Sequence, residues 1–283
     1  LIYLIAMMRK KPGKAPFEAG YWDSIVTESK VVGSEDLWRV HMQALYRGLR
    51  ARWGENAGAG RTLKTDLYDE AISPHNLLSL LGGPGGRIVG TDVSLEIARA
   101  AKKRMESDRQ AAGRFAVSAC DARSLAFRSC VFDEILSNST LDHFPDKPDI
   151  TASLKELHRV LRPGGTLTIT LDNPCNPVVF VRNLLPYPLL RSLRLIPFYM
   201  GKTLSRSELV RALEASGFRV CECTAIAHFP RIVAIRAGRL LERSAAAGMR
   251  ERLLGLMSAF ERLERLPTRY VTGYYVAAKA VKA

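Results

Sequence analysis

Acidic and small polar side chains recur in this 283-residue chain where apolar runs end, and they are the first sign of chemistry. The stretch "RTLKTDLYDEA", Arg61–Ala71, leads straight into Asp66, Asp69 and Glu70, with Tyr68 among them. "GRIVGTDVS", Gly86–Ser94, ends in Asp92-Val93-Ser94, and "FAVSACDARSLAF", Phe115–Phe127, carries Asp121-Ala122. "FDEILSNSTLDHF", Phe132–Phe144, ends in Ser137-Asn138-Ser139, with Asp142 and His143 close behind. A carboxylate at the carboxyl end of a second strand can accept both hydroxyls of a ribose, and one after a third strand can accept an adenine amino group. The plainer alternatives are that Asp92 shares a helix cap with Ser94 and that Asp121 is an ordinary loop acid. His143, beside Asp142, is the candidate general base; a lone histidine is also a common structural residue.

Placing these groups requires strand ends. From Arg61 the chain alternates strand and helix, a pattern that predicts a parallel sheet with crossover helices. Strands are expected at Arg61–Leu67, Arg87–Asp92, Arg114–Ser118, Phe132–Ser137 and Thr166–Leu171. Ser94 caps a helix with Ile97, Ala101 and Met105 on one face. Another helix carries Ile150, Leu154, Leu157 and Leu161 and stops at Arg162-Pro163-Gly164-Gly165. Ser205 and Glu208 form a capping box that opens a helix through Leu209 and Leu213. A strand near Phe218–Ala225, a long basic helix around Ile235–Leu266 and a last strand near Arg269–Ala278 complete the pattern. Upstream, Ser34 is placed to cap a helix with Leu37, Val40, Ala44, Leu45 and Leu49 as its stripe. "GENAGAG", Gly54–Gly60, is a loop. "LGGPGG", Leu81–Gly86, precedes the second strand, so it reads as a turn at the amino end of the sheet, away from ligands.

Bulk properties narrow the classes. A net charge of +14 admits nucleic acid, an anionic membrane or an acidic substrate as partner. The arginines are scattered along helices, with no dense basic run interleaved with aromatics, which argues against nucleic acid. The five cysteines make no disulfide framework. No His/Cys cluster has zinc spacing, so no metal is expected. This usage fits a reducing compartment, the cytoplasm. The opening apolar run is too short to span a bilayer, and its charges follow rather than precede it. Translation is expected to begin at Met7 or Met8, unless the chain is a fragment.

Four features together, in order, resemble the class I S-adenosylmethionine-dependent methyltransferases. They are Asp92 after strand two, Asp121-Ala122 after strand three, "FDEILSNSTLDHF" as strand four, and "LHRVLRPGGTLTIT" leading into strand five. The resemblance covers roughly Arg61 to Ala225, and the final strand pair suits it. It implies an α/β fold: a Rossmann-like, seven-stranded, mostly parallel sheet with helices on both faces and an antiparallel last strand. It also implies S-adenosyl-L-methionine as cofactor, held by loops that here carry Lys64, Thr65, Asp66, Glu70, Asp92, Val93, Ser94, Asp121, Ala122, Ser137, Asn138 and Ser139. One departure stands out. The family's glycine-rich loop after strand one is replaced by Lys64-Thr65-Asp66-Leu67-Tyr68-Asp69-Glu70. This donor has no phosphates, so no phosphate cradle is needed. Its ammonium and sulfonium are cationic, and Asp66 and Glu70 can attract them. Equally, the acids can simply favour the dipole of the following helix.

The resemblance divides the chain into residues 1–60, an irregular and helical segment over the site, and 61–283, the methyltransferase domain, with an apolar insertion at about 174–204. Asn176–Met200 is apolar, broken by prolines, with Arg182, Arg191 and Arg194 as its only charges. It reads as a lid over an apolar or lipid-like small-molecule acceptor, as a patch lying peripherally on a membrane, or as ordinary core. Tyr21 and His41 are further candidate bases if the N-terminal segment folds over the site. The competing class is a binding protein that kept the fold and lost the reaction. An NAD oxidoreductase lacks its Gly-x-Gly-x-x-Gly. A base-directed methylase lacks its Pro-Pro-aromatic tetrad where this chain has Ser137-Asn138-Ser139-Thr140.

Overall fold

Residues 18–29, 36–53, 60–73, 85–107, 113–193, 198–242 and 247–283, with single positions between them, are described by a computed structural model. The N-terminal apolar run, Ser34, most of the Gly54–Gly60 loop, the centre of the Leu81–Gly86 turn and Arg194 lie outside the described residues.

The first strand, β1 (Arg61–Thr65), is the hinge of the topology. It pairs in parallel with β2 (Arg87–Asp92) on one side and with β4 (Phe132–Asn138) on the other. Beyond β2 lies β3 (Phe115–Ala119), and beyond β4 lies β5 (Leu161–Asp172). Both β6 (Phe218–Ile226) and β5 pair antiparallel with β7 (Tyr275–Lys282), giving seven strands in the order β3-β2-β1-β4-β5-β7-β6. Chain direction along the sheet reverses between β1 and β4, so a crevice opens at their carboxyl ends. Register sets its level: Thr65 lies opposite both Thr91 and Ser137, and Asp92 opposite Ala119.

Layers of helices cover both faces, as buried parallel strands demand. On one face Ile150, Leu154 and Leu157 of a helix at Lys147–Val160, with Leu209 and Leu213 of one at Arg206–Ala215, pack on Leu63, Ile135, Leu167 and Ile169. On the other, the helix α2 (Asp36–Arg52) sets Tyr46 against Leu136 and Ile88, and Tyr46 Oη lies 2.5 Å from Thr170 Oγ1. The buried stripe of α2 is Leu37, Trp38, His41, Tyr46 and Leu49; Ala44 is exposed. A shorter helix, α1 (Ala19–Ser29), lies over the carboxyl ends of the strands beside Leu67 and Ile97.

The Ser94 cap and the Ser205–Glu208 capping box form as predicted. Several boundaries differ: the first strand ends at Thr65 rather than Leu67, because Asp66 turns the chain at φ 68°, the third strand shifts by one residue, and the fourth and sixth run one residue further. The fifth strand begins at Leu161, because Pro163 and Gly164 bulge out while pairing shifts between Phe132 and Glu134; Gly164 takes φ 73°. The last strand starts at Tyr275, since Arg269–Thr272 closes a helical turn behind Pro267 and Thr268. The long basic helix is two helices, Arg231–Glu242 and Ala247–Phe260, on either side of positions outside the description, followed by a tight turn at Glu261–Arg265.

Candidate active site

At the switch point lies a cleft open to solvent, of about 720 Å³ when its open mouth is counted. The loop after β1 forms its floor. Asp66 sits there with φ 68°, in the left-handed region where glycine would be expected. Aspartate is among the few residues that tolerate it. Its Oδ1 accepts the N–H of Tyr68 at 2.7 Å, closing a local turn. Lys64 fastens the same loop from beneath: Nζ donates to the Asp66 carbonyl at 2.6 Å and to Glu70 Oε2 at 2.9 Å. Burial alone would depress the Lys64 pKa, but the Glu70 and Asp66 carboxylates outweigh it and hold the ammonium charged. Lys64 and Glu70 are both fully buried and neither lines the cavity. The structure therefore places these two expected donor contacts in the framework, because a pair closed on itself has no charge left to offer a ligand.

Asp92 clamps two loops and faces the cavity. Its Oδ2 accepts from Leu67 N at 2.9 Å and its Oδ1 from Ser94 N at 2.8 Å. Burial, with the Asp66 charge next, pushes its pKa up to about 7. Burial likewise raises Asp66 against the opposing pull of Lys64. Ser94 caps its helix by accepting from Ile97 N at 3.0 Å and donates to Asp23 of α1, so it ties the N-terminal helix down rather than lining the cavity. Asp121 lines the wall with Val93 and Ala122. Partial burial pushes its carboxyl up, but the Arg123 guanidinium, 2.6 Å away, holds it below the usual range.

The end of β4 behaves differently from expectation. Ser137 is buried and accepts from Thr65 Oγ1 at 2.9 Å. Ser139 takes φ 48° and donates to Asp142 Oδ2 at 2.9 Å. Neither these two nor Asn138 lines the cavity; Thr65 and Thr140 present the hydroxyls there. Asp142 is fully buried, with Oδ2 also accepting from Asp172 N at 2.9 Å, and burial followed by the Asp172 charge raises it to about 6. It supports the turn under His143 and takes no part in the cavity wall.

His143 does line the cavity. Its Nδ1 lies 3.0 Å from the Tyr199 carbonyl oxygen. A carbonyl only accepts, so Nδ1 carries the proton and Nε2 keeps its lone pair. The ring meets Trp22 edge-on at 4.8 Å and Phe198 at 5.4 Å. Trp22, Phe198 and Tyr68 wall the cavity from the N-terminal helix, the insertion and the loop after β1. The other candidate bases are elsewhere. Tyr21 is locked between Tyr187 Oη at 2.8 Å and Tyr199 N at 2.7 Å, and burial raises its phenol well above the ordinary range. His41 is on the buried face of α2, 3.2 Å from Glu261 Oε1.

The insertion folds as two short helices, α6 (Pro177–Leu184) and α7 (Tyr187–Ser192). Asn176 caps the first, and Val179 and the Arg182–Asp172 ion pair anchor it. Its opposite face leaves Phe180 (55%) and Leu184 (68%) in solvent. Sequence reasoning missed Trp22, Thr91, Ile97, Cys120, Thr140, Phe144 and Phe198 as lining residues. Thr91 and Cys120 were accessible through the strand register; Trp22 and Phe198 come from segments whose approach no spacing encodes. Among the described residues no His/Cys/Asp/Glu group could hold a metal ion, and no helix is long and apolar enough to cross a membrane.

Sheet order and switch-point cavity define the Rossmann-like fold of methyltransferases, and comparison with known proteins agrees. Residues 73–169 match the family model described as a methyltransferase domain. Methyltransferase GfsG of Streptomyces halstedii is 29% identical over 143 residues, 44% of this chain and 50% of that protein. The chain spans about half the length of the curated relatives it matches, 50% and 42%. Geranyl diphosphate C-methyltransferase of Streptomyces coelicolor superposes with a TM-score of 0.54 at 16% identity, covering 85% of this chain and 77% of that one. The cyclase SpnF superposes at 0.53 with 18% identity, covering 84% and 79%. The matched domain and the sheet order make the chain similar to the class I S-adenosylmethionine-dependent methyltransferases.

Proposed function

We propose that the protein transfers the methyl group of S-adenosylmethionine to a small apolar or lipid-like acceptor, with His143 as general base. The observation that carries this reading is the cavity wall. Asp92, buried, and Asp66, partly buried, face it as carboxylates that make no ion pair with a described side chain, and an aromatic group of Trp22, Tyr68 and Phe198 closes the other side. The residues present fit the cofactor. Asp66 offers charge to its ammonium, Asp92 free lone pairs to ribose hydroxyls, and Asp121 an acceptor to the adenine amino group. The bound cofactor supplies an activated methyl on a sulfonium, and the rings offer negative π faces to such a cation.

What remains for the protein is alignment, exclusion of water and one proton. Alignment of this kind can contribute about 7–11 kcal/mol. The rings exclude water. Nε2 of His143 takes the proton when the acceptor nucleophile carries one, a role typically contributing about 10²–10⁴-fold. The apolar wall and the exposed apolar face of α6 favour an apolar acceptor, collected at a membrane surface in the cytoplasm. The residues before 61 act as its cover and those after as the catalytic domain.

The test is calorimetry with S-adenosylhomocysteine, then formation of that product from the donor with a cell lipid extract as acceptor source. Binding and turnover, with His143→Gln losing turnover and keeping binding, are expected. Binding without turnover on any extract would leave a binding protein; no heat on folded material would refute the donor assignment.

A further inference from the structure

Two pairs of neighbouring residues, one from the N-terminal helix and one from the insertion, meet on His143. Trp22 and Phe198 hold its ring on two sides. Tyr21 and Tyr199, next to them in sequence, are joined by the hydrogen bond from Tyr199 N to Tyr21 Oη at 2.7 Å. Tyr199 then presents its carbonyl to Nδ1. Downstream, the insertion is laced to the turn that carries His143: Gly201 N donates to the Asp142 carbonyl at 2.7 Å and Lys202 N to the Phe144 carbonyl at 2.8 Å. A Cβ at Gly201 would stand 2.0 Å from the Phe144 oxygen, so only glycine lets the strands of this lace close. Upstream, Tyr21 also meets Tyr187 Oη of α7, and Tyr187 packs edge-on against Tyr199 at 5.5 Å.

We infer that Tyr21 is a positioning residue: its hydroxyl latches the insertion to the N-terminal helix and, through the Tyr199 backbone, keeps the His143 proton on Nδ1 and the Nε2 lone pair available to the site. The inference rests on the reading of His143 as the base. Tyr21 does not line the cavity; it acts through Tyr199, whose N–H it holds and whose carbonyl meets the imidazole. The Tyr199 N–H and C=O lie in successive peptide planes, each rigid and joined at the Tyr199 Cα; with the plane before it fixed at Tyr199 N and the plane after it fixed at Gly201 N, the plane that carries the Tyr199 carbonyl has little freedom to turn. A free histidine side chain in water favours the proton on Nε2, the form that cannot accept a proton there. The latch selects the reactive tautomer against that preference.

The test is long-range ¹H–¹⁵N NMR on ¹⁵N-histidine protein, with His143→Gln identifying the His143 signal among the five histidines. In the wild type at a pH where the ring is neutral, the expected signature is Nδ1 protonated and Nε2 bare. In Tyr21→Phe, a shift toward the other tautomer and roughly fivefold to tenfold faster exchange of the Tyr199 amide are expected, the ratio that loss of one ordinary hydrogen bond gives. Binding of S-adenosylhomocysteine is expected to stay within about twofold, since the latch is remote from the acids. An Nε2-protonated wild type, or a Tyr21→Phe protein with unchanged tautomer and exchange, overturns the inference. If Tyr21→Phe melts before measurement, Tyr187→Phe removes only the far partner; a smaller shift in the same direction supports the latch and none overturns it. The donor assignment fails separately, by loss of homocysteine-product binding in a wild type whose His143 signature is intact.

Discussion

The loop after β1 makes a sharp prediction because one residue there combines two jobs. Asp66 turns the chain at φ 68° and places a carboxylate on the cavity. Asp66→Gly keeps the turn, since glycine adopts positive φ freely, and removes the charge. Asp66→Asn keeps turn and shape, and its amide oxygen can still accept from Tyr68 N. The Lys64 bond to residue 66 goes to the main-chain carbonyl and survives in both. If the carboxylate holds the cofactor ammonium, both variants lose it alike. Opposite charges about 4 Å apart at an effective dielectric near 20 attract by about 4 kcal/mol before desolvation. The net value of a hydrogen bond to a charged group is about 1.5–3 kcal/mol. Titration calorimetry with S-adenosylhomocysteine is therefore expected to show roughly tenfold to 100-fold weaker binding in each variant. Thermal melts are expected to show Asp66→Gly at least as stable as the wild type, because the left-handed cost to a side chain is gone. A glycine variant that binds as tightly as the wild type would refute the reasoning, since backbone alone would then be doing the holding.

Three further outcomes are expected. Burial and the Asp66 charge push Asp92 up to about pKa 7; if it accepts from the ribose hydroxyls, which it does more strongly when ionised, binding of the same ligand should be level well above pH 7 and fall below it, by at most about tenfold per pH unit for one linked proton, with proton uptake or release on binding visible as a buffer-dependent heat. Lys64→Met strands a buried Glu70 and should cost about 3–5 kcal/mol in urea denaturation, while Lys64→Met with Glu70→Leu should recover most of it and keep ligand binding within a few-fold. Phe180→Asp with Leu184→Asp should weaken sedimentation with anionic phospholipid vesicles by at least about tenfold, given about 1.5–3 kcal/mol for each buried side chain, without touching ligand binding.

The sheet was legible because its strands are short apolar runs stopped by acids or small polar residues. The bounds Arg87–Asp92 were read without error, and Ser94 capped as its type and place required. The site was legible only where a side chain's job is set by its own strand end. Asp92, Asp121 and Thr65 are of this kind. Lys64 and Glu70 are six positions apart, and nothing in the linear order says that they close on each other under the loop. Asp142 looked like the partner of His143 because they are adjacent; in a tight turn adjacent side chains diverge, and Asp142 points to Ser139 and the Asp172 amide instead. Trp22 and Phe198 were hidden for the opposite reason: 176 positions apart, they meet only through packing.

The acids around the loop sort by partner, and the sorting bears on why glycine is absent. Asp69 is met by Arg39 of α2 at 2.7 Å and Glu70 by Lys64 at 2.9 Å. Asp66 and Asp92 receive backbone N–H groups only, and burial raises both. A fold selected for stability alone would not leave Asp66 and Asp92, both facing the cavity, without a directly paired cation, because desolvating a charge that has no partner is costly. A ligand that brings an ammonium and two hydroxyls removes that cost on binding, and a phosphate-bearing ligand would add to it. If Asp66 and Asp92 hold the ligand as proposed, they favour a cationic nucleoside donor over dinucleotides, a discrimination that a loop built from bare glycines does not provide.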